Sequence, residues 1–111
     1  MNTLKQTRGD TVSYTFQRKD TDGNPIVSKP EAIFFTVKNT FNTPKITIQK
    51  NIHQMAMDGN GVWRFTIENS DTEGLPYGIY VYDLQVTENG AVTTIAKGHL
   101  ELTQEATWIT I

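Results

Sequence analysis

The sequence predicts an all-β protein built as a sandwich or barrel of antiparallel sheets. Apolar and polar residues alternate with period two along six short segments, which is the pattern of half-buried strands. Clusters of Gly, Asn, Asp and Pro separate these segments, and no segment carries an apolar stripe at helical spacing. Short strands without intervening helices are typical of antiparallel sandwiches. With 111 residues, the chain has room for one such domain, residues 1–111.

The first half of the chain contains three alternating segments. Apolar residues occupy every second position of residues 11–17, and the pattern recurs in residues 32–38, where Phe34 adds an apolar side chain on the opposite side. Residues 45–50 place two isoleucines between polar residues, which predicts the third strand. Residues 3–6 are polar and include a lysine, so we predict a short edge strand there.

The second half contains three more strands and one helical turn. Residues 62–67 and 79–87 alternate, with Tyr80, Tyr82, Leu84 and Val86 on one face of the second segment, whereas residues 92–102 are longer and less regular. Asn89-Gly90 lies between the last two segments, and both residue types adopt positive φ readily, which predicts a type I′ hairpin. Within residues 69–75, Ser, Asp, Thr and Glu side chains are able to cap a short helical turn.

The predicted core collects the apolar side of these strands. Because the chain has no cysteine, we expect the aromatic side chains to fill the space between the sheets by packing alone. The residues predicted to face inward are Val12, Tyr14, Phe16, Ile33, Phe35, Val37, Trp63, Phe65, Tyr80, Tyr82 and Leu84.

Charge and composition exclude several classes of protein. The net charge is −2 and the isoelectric point is about 5.6, so nucleic acid and membrane are not expected as partners. The lack of cysteine excludes a disulfide framework, a Cys-ligated zinc site, an iron–sulfur cluster and thiol catalysis. The first ten residues are polar, and no apolar run is long enough to span a bilayer, which predicts synthesis and folding in a cytosol.

Two loop motifs have a functional and a structural interpretation. Residues 20–24, with Glu31, repeat part of the spacing of an EF-hand loop. Pro25 occupies the position that needs glycine, and both flanks are predicted strands, so we favour a turn over a calcium site. Arg8-Gly9-Asp10 is a tripeptide of integrin ligands, but Gly-Asp before a strand is common turn chemistry, which we favour over an adhesion motif.

The residue types needed for catalysis do not form a recognisable constellation. His53 and His99 are the only histidines and lack the spacing of metal ligands, and no Gly-x-Ser-x-Gly sequence is present. Glu68, Asp71 and Glu73 are close in sequence, but a solvated loop explains them more simply than a glycosidase pair. We therefore predict no catalytic residues, no metal, no cofactor and no enzyme activity.

The C-terminal residues 107–111 are the candidate partner-binding segment. Most aromatic residues lie on the apolar side of a strand, but Phe34 and Trp108 do not. Trp108, Ile109 and Ile111 give the chain an apolar end, which is unusual for a terminus. Such a segment is suited to adding a strand to the exposed edge of a neighbouring molecule. The alternative is that Trp108 closes the end of its own sandwich.

A series of motifs follows a recognisable order along most of the chain. The series is Gly9-Asp10-Thr11, Tyr14-x-Phe16, residues 22–26, residues 32–38, residues 61–67, residues 75–84 and residues 94–98. This order resembles small phage and prophage structural proteins, especially the immunoglobulin-like N-terminal domain of siphophage baseplate upper proteins, over residues 5–102. The resemblance implies an immunoglobulin-like antiparallel β-sandwich of about seven strands, used in virion assembly and without catalytic residues.

Two functions of different classes follow from these observations. The first is a non-catalytic assembly module of a phage or prophage tail or baseplate, located in the virion and, before assembly, in the host bacterial cytoplasm. Its expected partners are other virion structural proteins. The chain either associates with copies of itself through residues 107–111 or is a monomer until another partner binds. The alternative is a carbohydrate-binding β-sandwich module, in which Phe34 or Trp108 would stack on a sugar ring.

Overall fold

Residues 2–105, which the computed structural model describes, form eight strands in two sheets. The strands are β1 (Asn2–Thr7), β2 (Val12–Gln17), β3 (Ala32–Lys38), β4 (Ile48–Asn51), β5 (Ala56–Met57), β6 (Val62–Ile67), β7 (Gly78–Glu88) and β8 (Ala91–Thr103). A 3-10 turn covers Ile52–Gln54 and a one-turn helix, α1, covers Asn69–Thr72. None of the described helical segments is long and apolar enough to cross a bilayer.

The strand order is that of an immunoglobulin-like sandwich. One sheet has the order β1-β8-β7-β3-β4 and the other has the order β2-β6-β5. In immunoglobulin letters, β2, β6 and β5 take the places of B, E and D, and β8, β7, β3 and β4 take those of G, F, C and C′. The all-β, immunoglobulin-like prediction is therefore confirmed.

One pair departs from the predicted antiparallel arrangement. β1 and β8 run parallel, from Asn2 opposite Gly98 to Thr7 opposite Thr103. The reason is a tight turn after β1, where Gly9 has a φ of +85° and Asp10 N donates to Thr7 O over 3.1 Å. This turn carries the chain from one sheet to the other, so β1 and β2 do not form a hairpin.

A tyrosine corner at the start of β7 is a further immunoglobulin-like feature. The Tyr80 hydroxyl donates to Pro76 O over 2.7 Å, four residues upstream, as such corners do in immunoglobulin-like domains. Burial raises the pKa of Tyr80 above its ordinary value. The corner anchors the connection between α1 and β7.

The core lies between the two sheets and is dominated by aromatic rings, as predicted. The Phe35 and Phe65 ring centroids are 4.6 Å apart, and Trp63 is only 2% exposed. The buried apolar residues are Ile33, Phe35, Val37, Ile48, Trp63, Phe65, Ile67, Tyr80, Tyr82, Leu84, Val86, Leu100 and Leu102. Val12, Tyr14 and Phe16 also belong to the predicted inward set, but they are half-buried because β2 is an edge strand.

The predicted hairpin and helical turn are both confirmed. Asn89 and Gly90 have φ values of +54° and +80°, so both central residues of the β7–β8 turn have the positive φ of a type I′ turn. The helix α1 falls within the predicted residues 69–75, and the Asp71 side chain accepts from the Glu68 backbone amide over 2.7 Å at its N-terminus.

The third predicted strand is shorter than residues 45–50. β4 begins at Ile48, which lies opposite Val37, and Ile46 is 47% exposed. The reason is that the neighbouring β3 ends at Lys38. The residues of the predicted segment that precede Ile48 therefore have too few β3 residues beside them to form a strand pair. The strand β5 and the 3-10 turn are additional elements that the alternation pattern did not predict.

Candidate interaction surface

β8 changes its surroundings halfway along its length. β1 covers one edge of residues 98–103, whereas residues 91–97 pair with β7 alone within the part of the chain that the structure describes. β2 pairs only with β6 in the same described part, so one of its edges is also open. Each sheet therefore leaves a strand edge without a neighbouring strand.

A groove runs between these two open edges. It consists of two adjoining clefts of about 550 Å³ and about 470 Å³, which share Phe16, Leu84 and Ala96. We term it the lateral groove and define it by its apolar lining. This lining consists of Leu4, Tyr14, Phe16, Ile26, Phe35, Phe65, Tyr82, Leu84, Val86, Ala91, Ile95 and Ala96.

A β-bulge shapes the β8 side of the lateral groove. Leu84 lies opposite Ala96 and Gln85 lies opposite Thr94, so Ile95 is an extra residue without a partner on β7. Thr93, opposite the buried Val86, lines the groove, whereas Thr94 lines a separate cleft on the outer face of the sheet. The bulge explains why residues 92–102 alternate irregularly in the sequence.

The β2 side of the groove is held in place by Tyr14 and Phe16. The Tyr14 hydroxyl donates to Gln6 Oε1 over 2.7 Å, and the Tyr14 and Phe65 ring centroids are 5.8 Å apart. Burial, and to a smaller extent the neighbouring Tyr82, raises the pKa of Tyr14, so the hydroxyl stays a donor at neutral pH. Phe16 stacks on Trp63 at 6.3 Å. This wall of the groove is thus built before any partner binds.

Arg18 closes the end of the groove nearest the β7–β8 turn. Its side chain is only 9% exposed; Nη1 donates to Glu88 Oε1 over 3.2 Å and Nη2 donates to Ser28 O over 3.1 Å. Arg18 therefore joins the loop after β2 to the end of β7. The groove is apolar along its length and polar at this end.

Arg8 performs a similar function at the opposite end of β8. Its guanidinium donates to both carboxylate oxygens of Glu105, over 2.8 and 3.2 Å, and lies 4.1 Å from the Tyr77 ring centroid. The hydrogen bond from Arg8 lowers the pKa of Glu105. The Arg8-Gly9-Asp10 tripeptide is therefore a turn whose arginine binds residues of its own chain. The backbone of this turn is also bound, because Gly9 N donates to Thr72 Oγ1 over 2.9 Å.

The acidic loops at residues 20–24 and 58–61 are turns organised by their own aspartates. Asp20 Oδ1 accepts from the backbone amides of Asp22 and Asn24, each over 2.9 Å. Asp58 Oδ1 accepts in the same way from Asn60 and Val62, over 2.8 and 3.0 Å. The EF-hand-like segment is a turn in the structure, held by one carboxylate oxygen of Asp20 that accepts two backbone amides.

The remaining sequence candidates are dispersed. Asp71, in the acidic cluster with Glu68 and Glu73, accepts from Lys50 Nζ over 2.7 Å, and the Lys50 side chain is only 11% exposed. His53 is exposed after β4, and His99 lies on the outer face of β8 opposite Val81. Among the described residues, no three His, Cys, Asp or Glu side chains lie close enough together to hold a metal ion.

The exposed aromatic residues lie away from the lateral groove. Phe34 is 38% exposed on the outer face of β3, where it lies opposite Asn51 and Gln85. Phe41 and Tyr77 are 48% and 40% exposed, and both lie in loops. The predicted partner-binding residues Trp108, Ile109 and Ile111 lie outside the described residues.

Sequence reasoning did not find the lateral groove, since its two walls come from strands about 80 residues apart. One local signal was available. The irregular alternation around Ile95 indicates a bulge, and bulges are common at sheet edges. That signal identifies an edge but does not show which strand faces it.

Comparison with known proteins supports the fold. No protein-family model matches the chain, and no curated protein matches it in sequence. Among solved structures, the chain is similar to part of the endo-β-1,4-mannanase from Thermotoga petrophila, with a TM-score of 0.63 and 12% sequence identity. The match covers 95% of this chain and 18% of the mannanase chain, so this chain spans under a fifth of that enzyme's length. At this identity the likeness is one of fold alone.

Proposed function

We propose that the chain is a non-catalytic assembly module of a phage or prophage virion and acts through protein–protein contacts. The observation that carries the proposal is the lateral groove, an apolar channel between two strand edges that the described part of the chain leaves open. Open edges beside an apolar groove are what strand addition by a partner requires. The resemblance of the motif order to tail and baseplate proteins supports the virion as the setting.

The polar residues that the sequence singled out support a structural role over a catalytic one. Arg8 is held by Glu105, Lys50 is paired with Asp71, and Asp20 organises its own turn. Each of these groups uses its hydrogen-bonding capacity within the fold, so it is not available for proton transfer to a substrate. The lining of the lateral groove is suited to side-chain packing because most of it is apolar.

Detection of the chain in purified particles tests the virion setting. We expect an antibody against the chain to detect it in the tail-containing fraction of a density gradient after prophage induction in the source bacterium. The control is the same gradient from uninduced cells. Absence of the chain from particles that contain the other tail proteins would reject the virion proposal.

The second candidate is carbohydrate binding, and one observation favours it. Phe34 presents an exposed ring on a sheet face between the polar side chains of Asn51 and Gln85, a combination that can stack on and hydrogen-bond to a sugar. A glycan array decides between the two functions. If this candidate is correct, a glycan binds to the chain and Phe34→Ala abolishes the signal, whereas Phe41→Ala, a matched exposed phenylalanine, leaves it unchanged.

A further inference from the structure

We propose that the lateral groove is the acceptor site for residues 106–111 of a second copy of this chain, which add a strand along the open edge of β8. The inference rests on the proposed assembly role and names the partner of that same groove. It is carried by three observations: the length of the open edge, the position at which the described chain ends, and the residue pattern of the segment that follows.

The open edge and the segment are similar in length. Residues 91–97 of β8 have β7 on one side only, which leaves about 23 Å of edge without a neighbouring strand in the described part of the chain. The six residues 106–111 are about 20 Å long when extended. An added strand of this length would cover the open half of β8 without displacing β1.

The segment of the same molecule cannot reach this edge. Arg8 holds Glu105 beside Thr103, because Arg8 N donates to Thr103 O over 2.9 Å and the guanidinium binds the Glu105 carboxylate. The open edge begins at Lys97, six residues back along β8 and about 20 Å away. Residues 106–111 span at most about 22 Å. An extended segment of this length would end near Lys97, with no residue left to pair there. β1 also occupies the edge of β8 over residues 98–103.

The residue pattern of the segment matches the groove. In an extended strand Ile109 and Ile111 share one face, and Trp108 and Thr110 share the other. The groove lining at Phe16, Leu84 and Ala96 is apolar and lies between the sheets, so the face with the two isoleucines enters the groove. The backbone of the segment would pair with the unpaired amide and carbonyl groups of β8.

The first test compares the mass of the full-length chain with that of two tail variants. We expect sedimentation to show a dimer or a larger assembly for the unchanged chain, and a monomer for Ile109→Asp/Ile111→Asp with its cooperative melt retained. Thr110→Asp is the control, since it adds a charge of the same sign on the opposite face and should keep the assembly. A chain that stays monomeric up to about 1 mM overturns the proposal.

The second test supplies the segment in trans. A fluorescein-labelled peptide of residues 104–111 is titrated with the full-length Ile109→Asp/Ile111→Asp chain, whose own tail is unable to compete, and anisotropy is measured. Adding Thr93→Glu, which places a charge in the groove, should weaken peptide binding by about tenfold or more. Thr94→Glu, the neighbouring residue on the outer face, should change it by less than about twofold.

The outcomes separate this inference from the proposed function. If the tail double variant unfolds, residues 106–111 belong to their own sandwich and the inference is wrong. If the peptide binds equally well to the Thr93→Glu variant, the groove is not its site. If the peptide test succeeds but the chain is missing from purified particles, the acceptor site stands and only the virion setting is rejected.

Discussion

The two halves of β8 differ in burial although they belong to one continuous strand. Residues 98–103 lie between β1 and β7, and Leu100 and Leu102 are 1% and 2% exposed. Residues 91–97 have β7 alone beside them in the described chain. In this open half, Thr93 and Ala96 lie opposite the buried Val86 and Leu84, yet Thr93 is exposed and Ala96 is half-buried. Positions that face the core are therefore less buried where β8 lacks a neighbour on its second edge.

The second sheet repeats this contrast between β2 and β6. Trp63 and Phe65 on the central β6 are 2% and 5% exposed, whereas Tyr14 and Phe16 on β2 are half-buried with the same alternation. A side chain on an edge strand has packing partners on one side only, so its ring stays partly open to solvent. In both sheets, side chains beside an unpaired strand edge are therefore more exposed than side chains on a strand with neighbours on both edges.

The largest expected effect is on the closed half of β8. We expect Leu100→Ala to lower the free energy of unfolding by about 3 kcal/mol, because it removes a buried side chain and leaves a cavity. Val92→Ala, in the open half, should change it by less than about 0.5 kcal/mol. Urea denaturation of both variants checks the comparison. Similar losses for the two variants would show that Val92 is covered in solution.

The tyrosine corner should have the next largest effect. Tyr80 lies opposite Leu100 in the closed half, and Tyr80→Phe removes the hydrogen bond to Pro76 O while keeping the ring. We expect a loss of about 1 kcal/mol in unfolding free energy, because the hydrogen bond that fixes the start of β7 is lost. Tyr77→Phe is the comparison for an exposed hydrogen bond, since the Tyr77 hydroxyl accepts from Arg8 Nη2 over 2.8 Å. An equal loss for both would contradict a specific role of the corner.

A smaller effect is expected at the turn that ends the open half. Gly90 has a φ of +80°, and a Cβ there meets open space, so Gly90→Ala is unfavourable through backbone strain alone. We expect a loss of about 1 kcal/mol or less, measured by thermal unfolding. Gly59→Ala, also open but without positive φ, should be neutral. Hydrogen exchange would show whether the loss is confined to the open half, as the comparison predicts.

The smallest effect concerns the ion pair at the closed end. The pKa of Glu105 is lowered from its ordinary value of 4.5 by the hydrogen bond from Arg8, so the pair stabilises the folded state above pH 4.5. That contribution is lost as the pH falls through the lower folded pKa. We expect the Tm of the unchanged chain to exceed that of Glu105→Gln slightly at pH 7 and to match it in strong acid. If the difference in Tm between the two proteins persists in strong acid, packing and not the ion pair is its cause.

Local patterns in the sequence predicted most of the strands and several turns. The hairpin at Asn89-Gly90, the turn at Asp20 and the helix α1 each depend on residues within a few positions of one another. The strand β4 was predicted three residues too early, since its start depends on where β3 ends. The candidate residues Trp108, Ile109 and Ile111 remain a prediction, and the groove offered as their acceptor was not visible in the sequence.

Local sequence patterns specify which segments are extended and which face of each is apolar, because period-two alternation and turn residues act over short distances. Which strands become neighbours depends on the folded arrangement of the whole chain. The parallel pairing of β1 with β8, the contact of Arg8 with Glu105 and the meeting of Phe16 with Ala96 all join distant positions of the chain. Alternation of apolar and polar residues is the same in a strand with a paired edge and in one with an unpaired edge. The open edges of β8 and β2 around the lateral groove therefore follow from the folded arrangement and not from the alternation.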